Sequence, residues 1–188
     1  MKKLLLPLAC AAFVALAPAT ASGDEWTHEG LPVETTTEAR FTGPAGFTLT
    51  AAPENGLHCS KIEITLDLFP SGGAEITHFF GIGCTATPSN LVADTTAIKP
   101  HDWEMTLEAN NDRFRVDSVH INTKITLAGS VVSESTLKGT MTFAVDDAET
   151  IETASLSDDG MTINGVLADF GGSLKLENSD TDIGMIDN

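Results

Sequence analysis

The sequence predicts an all-β protein: a single antiparallel β-sandwich or β-barrel of about 8–10 strands after a cleaved signal peptide. Three observations carry that prediction. Apolar side chains recur with period two along most of the chain, and the helical period of 3.6 is hard to find. Threonine is abundant, with 23 after residue 21, and a branched Cβ fits a pleated surface better than a helix. Clusters of glycine, asparagine, aspartate and proline cut the alternating segments at short intervals.

The first 21 residues have the order of a secretory signal. Lys2 and Lys3 supply the positive start. Leu4 to Ala17 is an apolar run of 14 residues broken only by Pro7, and Ala19-Thr20-Ala21 is the small-x-small pattern that precedes cleavage. The run is too short to span a bilayer. Cys10 falls inside it, and a lipid-bearing cysteine would end the apolar stretch. Here the stretch continues to Ala17, which favours cleavage after Ala21. The 167 residues from Ser22 onward suffice for one domain with a core and leave little room for two. The organisation expected is a signal peptide over 1–21, a flexible lead-in over 22–31, a β domain over 32–177 and an acidic tail over 178–188. The expected location is outside the cell or in its envelope.

Within the domain, alternation predicts strands at Glu34–Thr42, Phe47–Ala51, His58–Phe69, Ala74–Ala86, Trp103–Ala109, Arg113–Leu127, Thr136–Asp146, Thr150–Leu156, Met161–Leu167 and Ser173–Glu177. Turns are expected at Gly43-Pro44-Ala45-Gly46, Pro70-Ser71-Gly72-Gly73, Asn110-Asn111-Asp112, Asp158-Asp159-Gly160 and Gly171-Gly172. Between Thr87 and Pro100 alternation lapses, and a long connection is expected there.

Two cysteines remain after cleavage, Cys59 and Cys84, and an even count in an exported chain reads as one disulfide. The flanking segments give it a geometry. Apolar residues fall on even numbers in Ile62–Leu68 and mostly on even numbers in Glu75–Ile82, so paired numbers should sum to an even value. A sum of 142 sets Leu66 opposite Ile76, Ile64 opposite His78 and Ile62 opposite Phe80. Cys59 then falls opposite Gly83, one short of Cys84. One extra residue in the second strand, a bulge within Gly81–Gly83, would bring the cysteines together.

Charge excludes some functions. The full chain carries a net charge of −17, and loss of Lys2 and Lys3 takes it to −19. Such a surface repels phosphate backbones and anionic lipid, so no nucleic-acid partner is expected. No later apolar run is long enough to span a membrane. The partners left open are a small molecule, a glycan or an envelope component, and the sequence does not set the oligomeric state.

Chemistry is sparse. None of His28, His58, His78, His101 and His120 pairs with another at HxH or HxxxH spacing. The densest mixed group is His101-Asp102-Trp103-Glu104. His101, Asp102 and Glu104 could serve a metal or a proton transfer, and the simpler reading is a solvated loop leading to a strand with Trp103 in the core. No serine lies in G-x-S-x-G. The tail from Asn178 to Asp187 has the alternating oxygens of a calcium loop. However, Ile183 stands where that loop needs glycine and the closing glutamate is missing, so a frayed acidic tail is expected. No catalytic residue, metal or cofactor is called for.

Two resemblances follow from these residues. Gly23-Asp24-Glu25-Trp26 resembles the Gly-x-Trp of lipocalins with one residue too many. The succession from Leu57 to Ile121 comprises a cysteine pair across a hairpin, Trp103-Glu104-Met105-Thr106-Leu107, a polar turn, and Phe114-Arg115-Val116-Asp117-Ser118-Val119. It resembles small secreted β-rich proteins of actinobacteria, in which the Trp strand begins Pro-Trp; here His101-Asp102 separate Pro100 from Trp103. The resemblance implies an all-β fold and no activity. The function expected is a non-catalytic binding or envelope-associated module. The alternatives are a closed barrel carrying a small apolar ligand, and a metal- or carboxylate-dependent hydrolase using His101, Asp102, Glu104 and His120.

Overall fold

The computed structural model describes residues 24–70, 72–177 and 182–187, so the expected signal sequence lies outside the described residues. Among the described residues twelve strands are formed: β1 Glu25–His28, β2 Leu31–Pro32, β3 Thr37–Leu49, β4 Ala52–Leu68, β5 Ala74–Thr87, β6 Leu91–Ala97, β7 Met105–Glu108, β8 Arg113–Leu127, β9 Ser130–Val145, β10 Thr153–Ile163, β11 Val166–Leu176 and β12 Ile183–Ile186. Helical structure among the described residues is limited to two single 3-10 turns, Pro100–Asp102 and Ala109–Asn111.

The large sheet runs in the order β6-β5-β4-β3-β11-β10-β9-β8-β7, with every neighbouring pair antiparallel. It closes on itself because β6 also pairs with β8, Val92–Ala97 against Ile121–Thr126. Eight strands therefore make a hydrogen-bonded ring of up-and-down connections, which is a barrel rather than a sandwich. Alternation builds the interior. In β4, Ile62, Ile64, Leu66 and Leu68 are buried, and Lys61, Glu63, Thr65 and Asp67 between them are more exposed.

One end of the barrel is closed by aromatic packing. Phe114 stacks on Phe143 with ring centroids 4.5 Å apart, Phe41 lies 6.0 Å away, and Trp26 meets Phe114 edge-on at 5.4 Å. Trp26 is carried by β1, which pairs with β12 on one side and β2 on the other. This corrects both expected ends of the domain. The lead-in contains two strands and a tryptophan only 1 % exposed, and the tail from Ile183 is a strand with Ile183, Gly184 and Met185 buried. Burial of apolar side chains at each end outweighs the local polarity that suggested mobility.

Glycine misled the reading in three places. Gly43–Gly46 and Gly171–Gly172 lie inside the continuous strands β3 and β11, which pair with each other at Gly46 and Gly171. Asp158-Asp159-Gly160 lies inside β10, where the register shifts between Asp159 and Thr162, and the actual reversal is Asn164-Gly165. Strongly coiled barrel strands use glycine where neighbouring backbones crowd: a Cβ on Gly46 would run into the Leu57 carbonyl oxygen. The long connection expected between Thr87 and Pro100 contains β6. Its inward residues are small, with Ala93 buried and Thr95 and Ala97 partly so, which leaves little hydrophobic alternation to detect.

Below β6, β5 has no strand partner on its seam side among the described residues, because β5 pairs with β6 only at Cys84–Ala86. The segment after β6 covers that gap. Trp103, 4 % exposed, packs edge-on against Phe79 at 5.8 Å, and its indole Nε1 donates to the Ile98 carbonyl at 3.1 Å. The expectation that Trp103 belongs to the core holds, and its place there is the seam of the ring.

Candidate functional site

The cysteines are joined. Cys59 and Cys84 face each other across β4 and β5 with a Cα–Cα distance of 3.8 Å, both buried inside the barrel. The extra residue needed to align them is present but elsewhere. Leu66 pairs with Ile76 as expected, and from Thr65–His78 onward every pair sums to 143, so Thr77 is the inserted residue. Ile64 thus faces Phe79 and Ile62 faces Gly81, correcting the pairs with His78 and Phe80. Burial explains the early shift: it turns Phe79 inward and leaves His78 and Phe80 exposed. The Gly81–Gly83 segment is irregular as well, with Gly83 at φ +58°, but Ser60 on β4 matches it and donates from its hydroxyl to the Ile82 carbonyl at 3.0 Å. With an irregularity on both strands, the faces turn over while the register is kept.

His101, Asp102 and Glu104 lie on the outside of the seam. His101 Nε2 is 3.5 Å from Asp102 Oδ1, and Lys99 Nζ is 3.4 Å from Asp102 Oδ2, all well exposed. Glu104 is exposed, and its carbonyl accepts from the Asp117 N–H at 2.8 Å. The three exposed side chains flank the buried Trp103. His120 sits on β8 opposite Lys138 of β9. Among the described residues no three His, Cys, Asp or Glu side chains converge in a way that could hold a metal ion. The calcium-like run from Asn178 to Thr181 lies outside the described residues, and its continuation is β12.

Large side chains pack the interior: Phe41, Phe114, Phe143, Ile64, Leu66 and Met141 are fully buried. Beside the disulfide, Phe47, Phe79, Thr95, Thr123 and Leu137 surround a cavity of about 20 Å³, room for a single water molecule. The outer wall offers more space. A groove of about 380 Å³ crosses β11, β3, β4 and β5, lined by Gly46, Phe47, Thr48, Leu57, His58, Thr87, Asp169, Phe170 and Gly171. Strand register builds it. One outward row runs Gly171, Gly46, His58, and the next runs Asp169, Thr48, Gly56, Thr87. The glycines leave the floor bare, and the threonine hydroxyls, the imidazole and the carboxylate form its polar rim. Gly46 and Gly171 were expected in turns; their place between alternating apolar residues was the available signal. A second groove, of about 550 Å³ at the closed end, is acidic, with Asp112, Asp147, Glu149 and Asp187 among its lining.

Two clusters of charge brace the wall. Arg40 and Lys61 bridge Glu63 at 2.7 and 2.9 Å and Glu177 at 3.4 and 3.1 Å. The hydrogen bond from Lys61, supported by Arg40, holds the Glu63 carboxyl below its ordinary pKa. The Thr42 hydroxyl and then Lys61 do the same for Glu177, and Lys61 is raised in turn, chiefly by Glu63. On β8, the Thr140 hydroxyl at 2.7 Å, followed by Arg115, holds Asp117 low.

Comparison with family models, with curated proteins and with solved structures finds no match to this chain.

Proposed function

We propose that the chain is an exported, non-catalytic binding module that meets its ligand on the outer wall of the barrel, in the glycine-floored groove. The observation that carries this reading is the contrast between the two spaces. The interior cavity of about 20 Å³ is too small for an organic ligand. The groove, at about 380 Å³, lies within the roughly 300–1,000 Å³ of small-molecule sites. Its outward side chains are the hydroxyls of Thr48 and Thr87, the His58 imidazole and the Asp169 carboxylate, set around a floor of glycine backbone. That mixture suits a neutral polyhydroxylated ligand such as a sugar ring, with hydroxyls bonded at the rim and an apolar face on the floor. The net charge of −17 argues against an anionic one. Export is supported by the signal-like first 21 residues and by the disulfide.

The test is NMR shift mapping of the chain from Ser22, titrated with a panel of neutral oligosaccharides. The expected result is saturable shifts at Gly46, Thr48, His58 and Asp169, lost in Asp169→Ala while its melting temperature stays unchanged. Absence of saturable shifts across the panel, or shifts confined to another face, would overturn the reading.

A further inference from the structure

We infer that the protein self-associates through the projecting part of β9, with a second copy of the chain as the partner. β9 pairs with β8 along almost its whole length, but with β10 only from Leu137 onward. Asn164 ends that pairing: its side-chain Oδ1 accepts from the Thr136 N–H at 2.9 Å, and its own N–H donates to the Thr136 carbonyl at 3.0 Å. Beyond this point Ser130–Ser135 has no strand on its other side among the described residues. A closed barrel otherwise removes such edges, and an open edge is a template for another strand.

The composition of the edge admits a copy of itself. It reads Ser-Val-Val-Ser-Glu-Ser, and Glu134 is already met by Lys124 at 3.4 Å. A two-fold axis near Val132–Ser133 would set each Glu134 opposite Val131 of the other copy, so no like charges meet. A strand added here takes the place β10 would hold if it continued past Asn164, beside Val166 and Leu167.

Charge distribution favours the same occupant. The four hairpins that reverse at this end of the barrel have no formally charged residue between Arg40 and Glu54, Glu75 and Asp94, Lys124 and Glu134, or Asp159 and Asp169. In a chain of net charge −17, this is the pole at which two copies can meet without bringing their charges together. It is also where apolar side chains are left out: Val92, Leu127, Val131, Val132, Val166 and Leu167 are each about half exposed. Summed over these hairpins they leave on the order of 500 Å² exposed. With strand pairing added, this approaches the roughly 800 Å² per partner of a stable interface.

The experiment is sedimentation velocity of the full mature chain up to about 0.5 mM, where mass action reveals a weak dimer. A reversible dimer is expected, with Val131→Glu, which puts like charges opposite each other across the axis, and, independently, Val166→Lys raising its dissociation constant about tenfold or more. Both substitutions are at exposed positions, and unchanged circular dichroism shows that the fold persists. A wild-type chain that stays monomeric overturns the inference, as does a dimer indifferent to both substitutions. Monomer that instead cosediments with phosphatidylcholine vesicles overturns it too, in favour of a lipid surface.

Discussion

Glu63 shows how single side chains hold the outer wall. It accepts from Lys61 and Arg40, and its carboxyl is held below the ordinary value, as are those of Glu177 and Asp117. A depressed folded pKa contributes stability that is fully present above the unfolded value and is lost as pH falls through the folded one. These groups should therefore cost stability on acidification below about pH 4.5. The overall negative charge acts in the opposite sense, because acid relieves its self-repulsion. Comparing variants separates the two effects. Glu63→Gln should lower the melting temperature at neutral pH and show a shallower fall between about pH 6 and pH 3 than the wild type. Parallel curves would mean that the Glu63 contacts carry no net stability. Inside the wall, the Cys59–Cys84 bond closes a loop of sequence separation 25, which in the chain-entropy model is worth about 3 kcal/mol.

The seam is the element on which the ring depends most. β6 completes it at one end, and Trp103 fills the gap below against Phe79. Trp103→Ala should destabilise the fold by about 3–5 kcal/mol, the range for deleting a buried aromatic. His101→Ala and Glu104→Ala, on either side of it, should stay within about 0.5 kcal/mol. Urea denaturation of the three variants decides whether the segment is a structural plug or a reactive one; a stable Trp103→Ala chain would refute the plug. The same segment shows what can be read from sequence. Trp103 was legible as core because a large apolar residue opens an alternating run. β6 was not, because a strand lying over a disulfide needs small inward residues, and Ala93, Thr95 and Ala97 carry almost no hydrophobic signal. In the β4–β5 hairpin the parity of apolar positions revealed that one residue must be inserted. Only the burial of Phe79 located it at Thr77, and that burial depends on the rest of the barrel.

At the scale of the molecule, alternation and threonine content were enough for the all-β class, since both follow from the two faces of every strand. They were silent on sandwich against barrel, which is decided by the pairing of β6 with β8, a contact between strands separated by β7. The groove was hidden for a related reason: glycine marks a turn in isolation and a bare wall when a neighbouring strand crowds it, as at Gly46. A filled barrel that works from its outer surface is the central claim. It is tested most directly by native mass spectrometry of protein produced by its own host and purified without denaturation. The expected masses are those of the chain from Ser22 with one disulfide, alone or as a dimer, with no retained small molecule. An apolar ligand held in stoichiometric amount through purification and released on unfolding would contradict a filled interior.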